Sequence, residues 1–356
     1  MTRRLLEGSE AVAEAMVAAG CRFFAGYPMT PFTEVLEHLA RLLPEHGGVC
    51  VNAESELEAV GMAWGAAATG TRAATGSTGQ GLSLMQESLA ELSNARIPLV
   101  VLNMARAQGD YYQATRGGGH GDYRMPVLAP KDAAEAVELI ATAFELADRW
   151  RTPVMVFGDY YLAHTAQSVE IPPAAPLGDL PAWALDGSTG GSGHAKLLSS
   201  LGSSKRRDDV GYDLQAHYQA CAVAVDEMTA GIEPRAEVLG TEDADVVVMA
   251  WGTPGRCVRA AVRELRAEGR RVGFVRPITL YPFPTAAVVD ATGKAQRIAV
   301  YENNQGQMID DVRLAVEGRV PVTFIGGLSL DHSGFGIAPD LEVTTMRTRI
   351  EEVLAC

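Results

Sequence analysis

Short runs of β-branched and other apolar residues alternate along the chain with longer segments in which apolar residues recur at helical spacing. The runs that predict strands lie at residues 97–102, 153–157, 246–249, 271–275, 298–301 and 320–324. Parallel strands need long crossover connections, and helices of this length supply them. The alternation therefore predicts an α/β protein with parallel sheets covered by helices.

Three of the helical segments have recognisable limits. Residues 9–19 predict an amphipathic helix, with Gly20 placed to end it. Thr30 and Pro31 predict an N-cap followed by proline at the first helical position, opening a helix that runs through Leu43. Residues 214–228 are also helical in pattern.

The composition changes between about residues 171 and 238. This segment is rich first in proline, then in glycine and serine, and then in charged residues. Such composition is typical of an irregular linker. We therefore predict an α/β domain over residues 1–170, a linker and crossing segment over 171–238, and a second α/β domain over 239–356.

Charge and composition exclude several classes of function. The 356 residues include 30 Lys and Arg against 44 Asp and Glu, a net charge of −14. This balance argues against nucleic-acid or anionic-membrane partners. The apolar runs fall short of the ~20 residues that a membrane-spanning helix needs, and residues 1–7 show no export signal.

Cysteines and histidines show no metal-binding spacing. The five cysteines are scattered singly, which favours a reducing cytoplasm and excludes an iron–sulfur cluster ligated within this chain. The histidines form no HExxH or similar motif. We therefore expect no metal site in this chain.

Two clusters near the N-terminus could carry chemistry. Residues 26–33 form a strand-to-helix turn in which Thr30 could help to bind an anion, although taken alone these residues are more typical of an ordinary capped turn. Glu54, Glu56 and Glu58 open a small, apolar helix. One of them could sit beside a buried ligand, or all could simply complement the helix dipole.

Two further clusters follow. Residues 75–86 form a glycine-rich turn that matches neither a Walker A loop nor a GxGxxG fingerprint. Arg106 follows a predicted strand, where its guanidinium is placed to grip a carboxylate. His120 lies among glycines, and could be a proton shuttle or a backbone-bonded loop residue.

These clusters occur in the order found in one known family. The motifs are Tyr27-Pro-Met-Thr-Pro31, Glu54-Ser-Glu-Leu-Glu-Ala-Val-Gly61, Gly79-Gln-Gly-Leu-Ser-Leu-Met85, Gly117-Gly-Gly-His-Gly-Asp-Tyr-Arg124, Trp251-Gly-Thr-Pro254 and Glu302-Asn-Asn-Gln-Gly-Gln-Met308. Together they resemble the alpha subunit of thiamine-diphosphate-dependent 2-oxoacid:ferredoxin oxidoreductases, closest to the branched-chain 2-oxoisovalerate type. The likeness covers nearly the whole chain.

The resemblance implies roles for particular residues. Glu56 corresponds to the glutamate that activates thiamine diphosphate through the aminopyrimidine N1′, and Thr30 and Arg106 to the residues that bind the oxoacid carboxylate. The residues placed beside the cofactor are Tyr27, Pro28, Glu56, Thr78, Gly79 and Gln80. The implied fold is an N-terminal pyrimidine-binding thiamine-diphosphate domain followed by a transketolase-C-like domain.

The resemblance also implies partners. A beta subunit would carry the diphosphate and Mg²⁺ site and a [4Fe-4S] cluster, with gamma and ferredoxin-like delta subunits as further members and ferredoxin as electron acceptor. Coenzyme A would be the co-substrate, so that the reaction oxidatively decarboxylates a 2-oxoacid to an acyl-CoA. This chain alone would be inactive.

One departure from the family pattern keeps alternatives open. Branched-chain alpha subunits usually carry a longer insertion after the arginine, whereas here Arg106-Ala-Gln108 runs straight on. A shorter connection could turn the Arg106 guanidinium away, so that Arg116 or the partner subunit binds the substrate carboxylate instead. The alternative functions are a related thiamine-diphosphate enzyme that performs non-redox decarboxylation or acyl transfer, and a non-catalytic scaffold subunit.

Overall fold

The computed structural model describes residues 3–175, 178–185, 214–327 and 341–355. The glycine-rich and charged parts of the predicted linker, at 187–193 and 205–209, lie outside these ranges. None of the described helices is both long enough and apolar enough to cross a membrane.

The described strands are β1 (Arg4–Glu7), β2 (Phe23–Gly26), β3 (Val49–Asn52), β4 (Ala73–Ser77), β5 (Leu99–Ala105), β6 (Val127–Leu128), β7 (Pro153–Asp159), β8 (Ala166–Val169), β9 (Ala236–Leu239), β10 (Val246–Met249), β11 (Val272–Pro277), β12 (Thr279–Tyr281), β13 (Arg297–Val300) and β14 (Val322–Phe324). The described helices are α1 (Gly8–Ala18), α2 (Thr33–Glu45), α3 (Glu56–Ala68), α4 (Gln80–Asn94), α5 (Tyr111–Thr115), α6 (Ala133–Trp150), α7 (Tyr160–His164), α8 (Leu214–Gly231), α9 (Gly252–Ala267), α10 (Thr285–Thr292), α11 (Met308–Val316) and α12 (Val343–Leu354).

The first sheet has the order β12-β6-β7-β5-β4-β2-β3. All its pairs are parallel except β12 with β6. Every residue of its central strands β4, β5 and β7 is buried, because helices cover both faces. The predicted fold class is confirmed.

The second sheet has the order β14-β13-β10-β11-β9, with β9 antiparallel and the other strands parallel. Strand β9 crosses the predicted domain limit at residue 238, and β12 from the second half pairs with β6 of the first sheet. The two halves of the chain therefore share the edge of one sheet.

Buried contacts also join the two halves. Trp251, which follows β10, packs against Tyr111 and Phe157 with ring centroids 5.7 and 4.8 Å away. The buried Arg276 of β11 forms ion pairs with Glu135 of α6, at 2.8 Å, and with Glu237 of β9, at 2.9 Å. Trp251 and Arg276 of the second half therefore pack directly against residues of the first half.

The predicted start of the second helix is wrong. Helix α2 begins at Thr33 rather than after Thr30, and its N-cap position is Phe32, which makes no side-chain cap. A turn comes first, in which the Phe32 N–H donates to the Met29 carbonyl at 2.7 Å. The helices predicted at 9–19 and 214–228 correspond to α1 and α8.

Candidate functional site

The topology of the first sheet creates a crevice at the carboxyl ends of β2 and β4. The chain leaves β2 toward β3 on one side and leaves β4 toward β5 on the other. Ligands of open α/β sheets bind at such a reversal. Thr30, Thr78 and Arg106 lie on the loops that follow β2, β4 and β5, and Glu56 begins the helix that follows β3, so the topology brings the predicted residues to one edge.

Glu56 is the first residue of α3 and is 3% exposed. Ser55 caps the helix, since its side chain accepts from the Glu58 N–H. One Glu56 oxygen, Oε1, accepts a hydrogen bond of 2.9 Å from the Ser77 hydroxyl at the end of β4. No other hydrogen bond from the described residues reaches this carboxylate, so its second oxygen can bind a ligand.

The other two glutamates of the cluster do not join this site. Glu54 and Glu58 are exposed, and the Glu58 carboxylate accepts from the Glu54 N–H at 3.0 Å. They serve the start of α3, where negative charge complements the helix dipole.

Glycine at position 81 makes room for the Glu56 carboxylate. A Cβ atom at Gly81 would lie 2.0 Å from Ser77 Oγ and 2.2 Å from Glu56 Oε1. The first turn of α4 therefore packs directly against the hydrogen bond between these two side chains.

The turn that precedes α4 is hydrogen-bonded to Asp110, which lies in the segment after β5. Gly79 has a φ of +45°, which favours glycine, and its N–H donates to Asp110 Oδ2 at 3.0 Å. The same oxygen accepts from Asn103 Nδ2 at 3.2 Å. Burial raises the pKa of the Asp110 carboxyl, against the opposing effects of Asn103, Gly79 and Arg106. The adjacent Thr78 hydroxyl is buried and has no hydrogen-bond partner among the described residues.

Arg106 lies directly after β5 and reaches both neighbouring loops. Its Nε donates to the Thr30 carbonyl at 3.2 Å, and its Nη1 lies 3.4 Å from Gln80 Oε1. Arg116 instead pairs with Asp311 of α11 at 2.8 Å. The arrangement therefore places Arg106, not Arg116, in the crevice.

The remaining predicted residues lie at the periphery. Tyr27 and Pro28 are exposed beside the crevice. His120 pairs with Glu91 of α4 at 3.0 Å, so the interpretation of it as a backbone-bonded loop residue is wrong. Glu91 lies near the far end of α4 from Gly79, so His120 is remote from Glu56.

Exposed apolar residues lie along α3 and in the first turns of α4. Leu57, Met62 and Leu84 are 51, 42 and 54% exposed, and Gly61 and Gly65 lie on the same open face of α3. We call these residues the open face. Grouped apolar exposure on a helix is typical of a surface that binds another protein.

Sequence reasoning missed three residues of this site. Ser77 and Gly81 lie within the glycine-rich turn at residues 75–86, and Asp110 lies four residues after Arg106, but nothing in the sequence assigned any of them a role. The glycine-rich composition of residues 75–86 was the available signal, since close approach of a side chain to a helix start needs glycine. Within the described ranges, no three His, Cys, Asp or Glu side chains are arranged to hold a metal ion.

Two family models match the chain. Residues 14–180 match the thiamine-diphosphate-binding domain of pyruvate flavodoxin/ferredoxin oxidoreductase. Residues 244–332 match core domain II of pyruvate:ferredoxin oxidoreductase. The first match contains the whole crevice.

Curated relatives are similar over most of their length. The ketoisovalerate oxidoreductase subunit VorB of Methanothermobacter thermautotrophicus is 37% identical, with 88% of this chain and 90% of the relative covered. The 2-oxoglutarate synthase subunit KorA of the same organism is 33% identical, with 90% and 93% covered.

One solved structure is similar to this chain over nearly its whole length. The 2-oxoglutarate:ferredoxin oxidoreductase from Magnetococcus marinus, with 2-oxoglutarate, coenzyme A and succinyl-CoA bound, is 25% identical with a TM-score of 0.82. The match covers 99% of this chain but spans 65% of that one. With the two domain models and the two relatives, this likeness confirms the resemblance found in the sequence, and the chain belongs to the family of 2-oxoacid:ferredoxin oxidoreductase subunits.

Proposed function

We propose that this chain is the subunit of a thiamine-diphosphate-dependent 2-oxoacid:ferredoxin oxidoreductase that supplies the cofactor-activating glutamate, Glu56. The observation that carries the proposal is the buried Glu56 carboxylate, which is held through one oxygen by Ser77 at the crevice of the first sheet. The reaction is the oxidative decarboxylation of a 2-oxoacid, with coenzyme A as acyl acceptor and ferredoxin as electron acceptor.

The crevice fits the aminopyrimidine end of thiamine diphosphate. A flat, polar ring needs a carboxyl group for its ring nitrogen and further hydrogen-bond partners for its amino group. Glu56 offers the first, and the Thr78 hydroxyl, one residue after Ser77 and without a hydrogen-bond partner among the described residues, is proposed as a second. Tyr27, Pro28, Gly79 and Gln80 lie on the two loops that flank this position.

The role of Glu56 is to hold and exchange a proton at the ring nitrogen. Ser77 donates to Oε1 and holds the carboxyl group, which leaves Oε2 to bind the ring nitrogen. Bound thiamine diphosphate supplies a carbon nucleophile for the keto carbon of the substrate and accepts the electrons that remain after CO2 leaves. A positioned proton transfer of this kind contributes about 10²–10⁴-fold to a rate.

Arg106 and Thr30 are proposed to bind the substrate carboxylate. Arg106 stands at the end of β5, and its contacts with the Thr30 carbonyl and Gln80 aim it across the crevice. A guanidinium binds a carboxylate through two parallel hydrogen bonds, which orients the neighbouring keto group. The Thr30 hydroxyl supplies one further donor.

A beta subunit is proposed to cover the open face. The apolar side chains of the open face include Leu57, which lies in the first turn of α3 directly after Glu56. The partner would contribute the diphosphate and Mg²⁺ site and a [4Fe-4S] cluster, with gamma and delta subunits as further members. The complex would work in the reducing cytoplasm, a setting that suits the free thiols of Cys21, Cys50, Cys221 and Cys257.

The test is Glu56→Gln in the complete complex purified with its partner subunits. We expect oxoacid-dependent reduction of a viologen dye to fall by about 10²–10⁴-fold, because an amide does not exchange the required proton. Glu145→Gln is the matched control, since that exposed carboxylate lies on α6, which contributes no residue to the crevice, and it should keep near-native activity.

Two outcomes would contradict the proposal. Near-native turnover in Glu56→Gln would remove the assigned role from this glutamate. Release of CO2 without dye reduction in the native complex would instead indicate the alternative, a non-redox thiamine-diphosphate enzyme.

A further inference from the structure

Gln108 makes four hydrogen bonds to the second half of the chain, although it lies two residues after Arg106. It is 1% exposed. Its side-chain Nε2 donates to the Trp251 carbonyl at 3.0 Å, and its Oε1 accepts from the Asn303 N–H at 2.8 Å. Its backbone N–H donates to the Asn303 carbonyl at 3.3 Å, and its carbonyl accepts from Asn304 Nδ2 at 2.9 Å. All of its polar groups are thus used by two loops of the second half.

The loop that contains Asn303 and Asn304 is itself held by a buried carboxylate. The buried Glu302 carboxylate accepts from the N–H groups of Gln307, Met308 and Ile309, at 3.1, 2.8 and 3.0 Å, and from Asn304 Nδ2 at 3.0 Å. These bonds fix residues 302–309 against the start of α11. Gln108 therefore binds a surface that cannot readily follow it.

Gln307 adds a second attachment from the same loop. Its Nε2 donates to the Gly109 carbonyl at 2.9 Å, and its Oε1 accepts from the Tyr112 N–H at 2.9 Å. The segment that connects β5 to α5 is thus attached at consecutive residues. Without these bonds a short loop of this kind would have several accessible conformations.

The anchored segment carries groups that face the crevice on both sides of Gln108. Arg106 precedes it and contacts the Thr30 carbonyl and Gln80. Asp110 follows it and holds the Gly79 N–H at the start of α4. A shift of Gln108 would move both groups, since only one residue separates it from each.

We infer that Gln108 is a positioning residue: its hydrogen bonds to the loops of the second half fix where the Arg106 guanidinium meets the substrate carboxylate. The inference rests on the proposed function for the identity of the substrate. It explains why the direct run from Arg106 to Gln108 suffices without a longer loop. The second half of the chain thereby contributes to the substrate site without touching the substrate.

The test compares Gln108→Met with Gln86→Met in the complete complex. Methionine keeps the volume and removes the polar groups, and Gln86 is a similarly buried glutamine, 5% exposed, that bonds to Tyr123. We expect Gln108→Met to lower kcat/KM for the oxoacid by about 10–100-fold, as for a misplacement near 1 Å. Gln86→Met should leave kcat/KM nearly unchanged. Gln307→Met should act in the same direction as Gln108→Met, and is the second variant if Gln108→Met does not fold.

A positioning role also predicts coupling to Arg106. The double variant Gln108→Met with Arg106→Ala should lose clearly less than the product of the two single losses, because both disturb the same contact. Losses that multiply would assign Gln108 to general stability and overturn the inference. An unchanged kcat/KM in both Gln108→Met and Gln307→Met would overturn it as well.

Hydrogen exchange separates failure of this inference from failure of the proposed function. Peptides covering residues 77–85 should exchange faster in Gln108→Met, because a displaced Asp110 no longer protects the Gly79 N–H. This readout needs no turnover. Unchanged exchange would overturn the inference whatever the complex catalyses, whereas a native complex inactive on 2-oxoacids would contradict only the proposed function.

Discussion

Gly81→Ala tests whether the position of the Glu56 carboxylate controls activity. Real Cβ atoms essentially never approach another atom within 3.0 Å, whereas the added Cβ would lie 2.0 Å from Ser77 Oγ and 2.2 Å from Glu56 Oε1. The two side chains must therefore move by about 1 Å. A displacement of that size at a reacting group costs up to about 10²-fold in rate.

The fold should survive the change. Overpacking costs about 1–3 kcal/mol, and replacing glycine by alanine inside a helix returns about 1 kcal/mol. We therefore expect a small fall in the thermal midpoint together with a loss of dye reduction near 10²-fold. Gly293→Ala is the matched control, because its added Cβ meets nothing nearer than 3.5 Å, and it should keep native activity.

Combining Gly81→Ala with Glu56→Gln separates this explanation from a general disturbance. If Gly81 acts through the carboxylate, the double variant should be no less active than Glu56→Gln alone. Losses that multiply would show that Gly81 does not act through the Glu56 carboxylate. Native activity in Gly81→Ala at an unchanged thermal midpoint would show the same.

Two further predictions follow from the site and from the core. Arg106→Ala should lower kcat/KM for the oxoacid by the equivalent of about 1.5–3 kcal/mol, the range for hydrogen bonds to charged groups. Arg116→Ala should change kcat/KM little. Steady-state kinetics that show the reverse would assign the substrate carboxylate to Arg116. Burial raises the pKa of Cys21 to about 12 and that of Cys50 to about 11, so at pH 8 the Cys21 thiolate is on the order of 10⁻⁴ of the total and both thiols should resist alkylation. Their reaction with iodoacetamide, followed by peptide mass spectrometry, should accelerate as pH rises toward these values and on unfolding; equal rates in the folded and unfolded protein at pH 8 would contradict the prediction.

The order of motifs along the chain and the alternation of strands and helices were readable from the sequence. Runs such as β10, at Val246–Met249, are buried on both faces, and their continuous apolar character identifies them directly. The start of α2 was not readable, because a turn through Met29 and Phe32 replaces the cap expected at Thr30. Local capping rules describe preferences, and a competing turn can satisfy the same backbone groups.

The three acidic residues near the start of α3 separate what can be read from the sequence from what needs the folded chain. Composition placed Glu54, Glu56 and Glu58 at the start of a helix, and the family resemblance selected Glu56. Only the tertiary structure buries one of them: α3 begins at Glu56, and a residue two positions further along a helix points to nearly the opposite side, so Glu58 faces solvent.

Contacts between distant residues were decided by the tertiary structure alone. Gln108 and Asn303 are 195 positions apart, and no periodicity or spacing relates them. Likewise, nothing in the sequence distinguishes Gly81 from other glycines. Its lack of a side chain matters only because the fold places Ser77 and Glu56 beside it. The sequence fixes which side chains are available, but their approach depends on how the two sheets pack, and that packing is a sum of many small contacts that no single motif encodes.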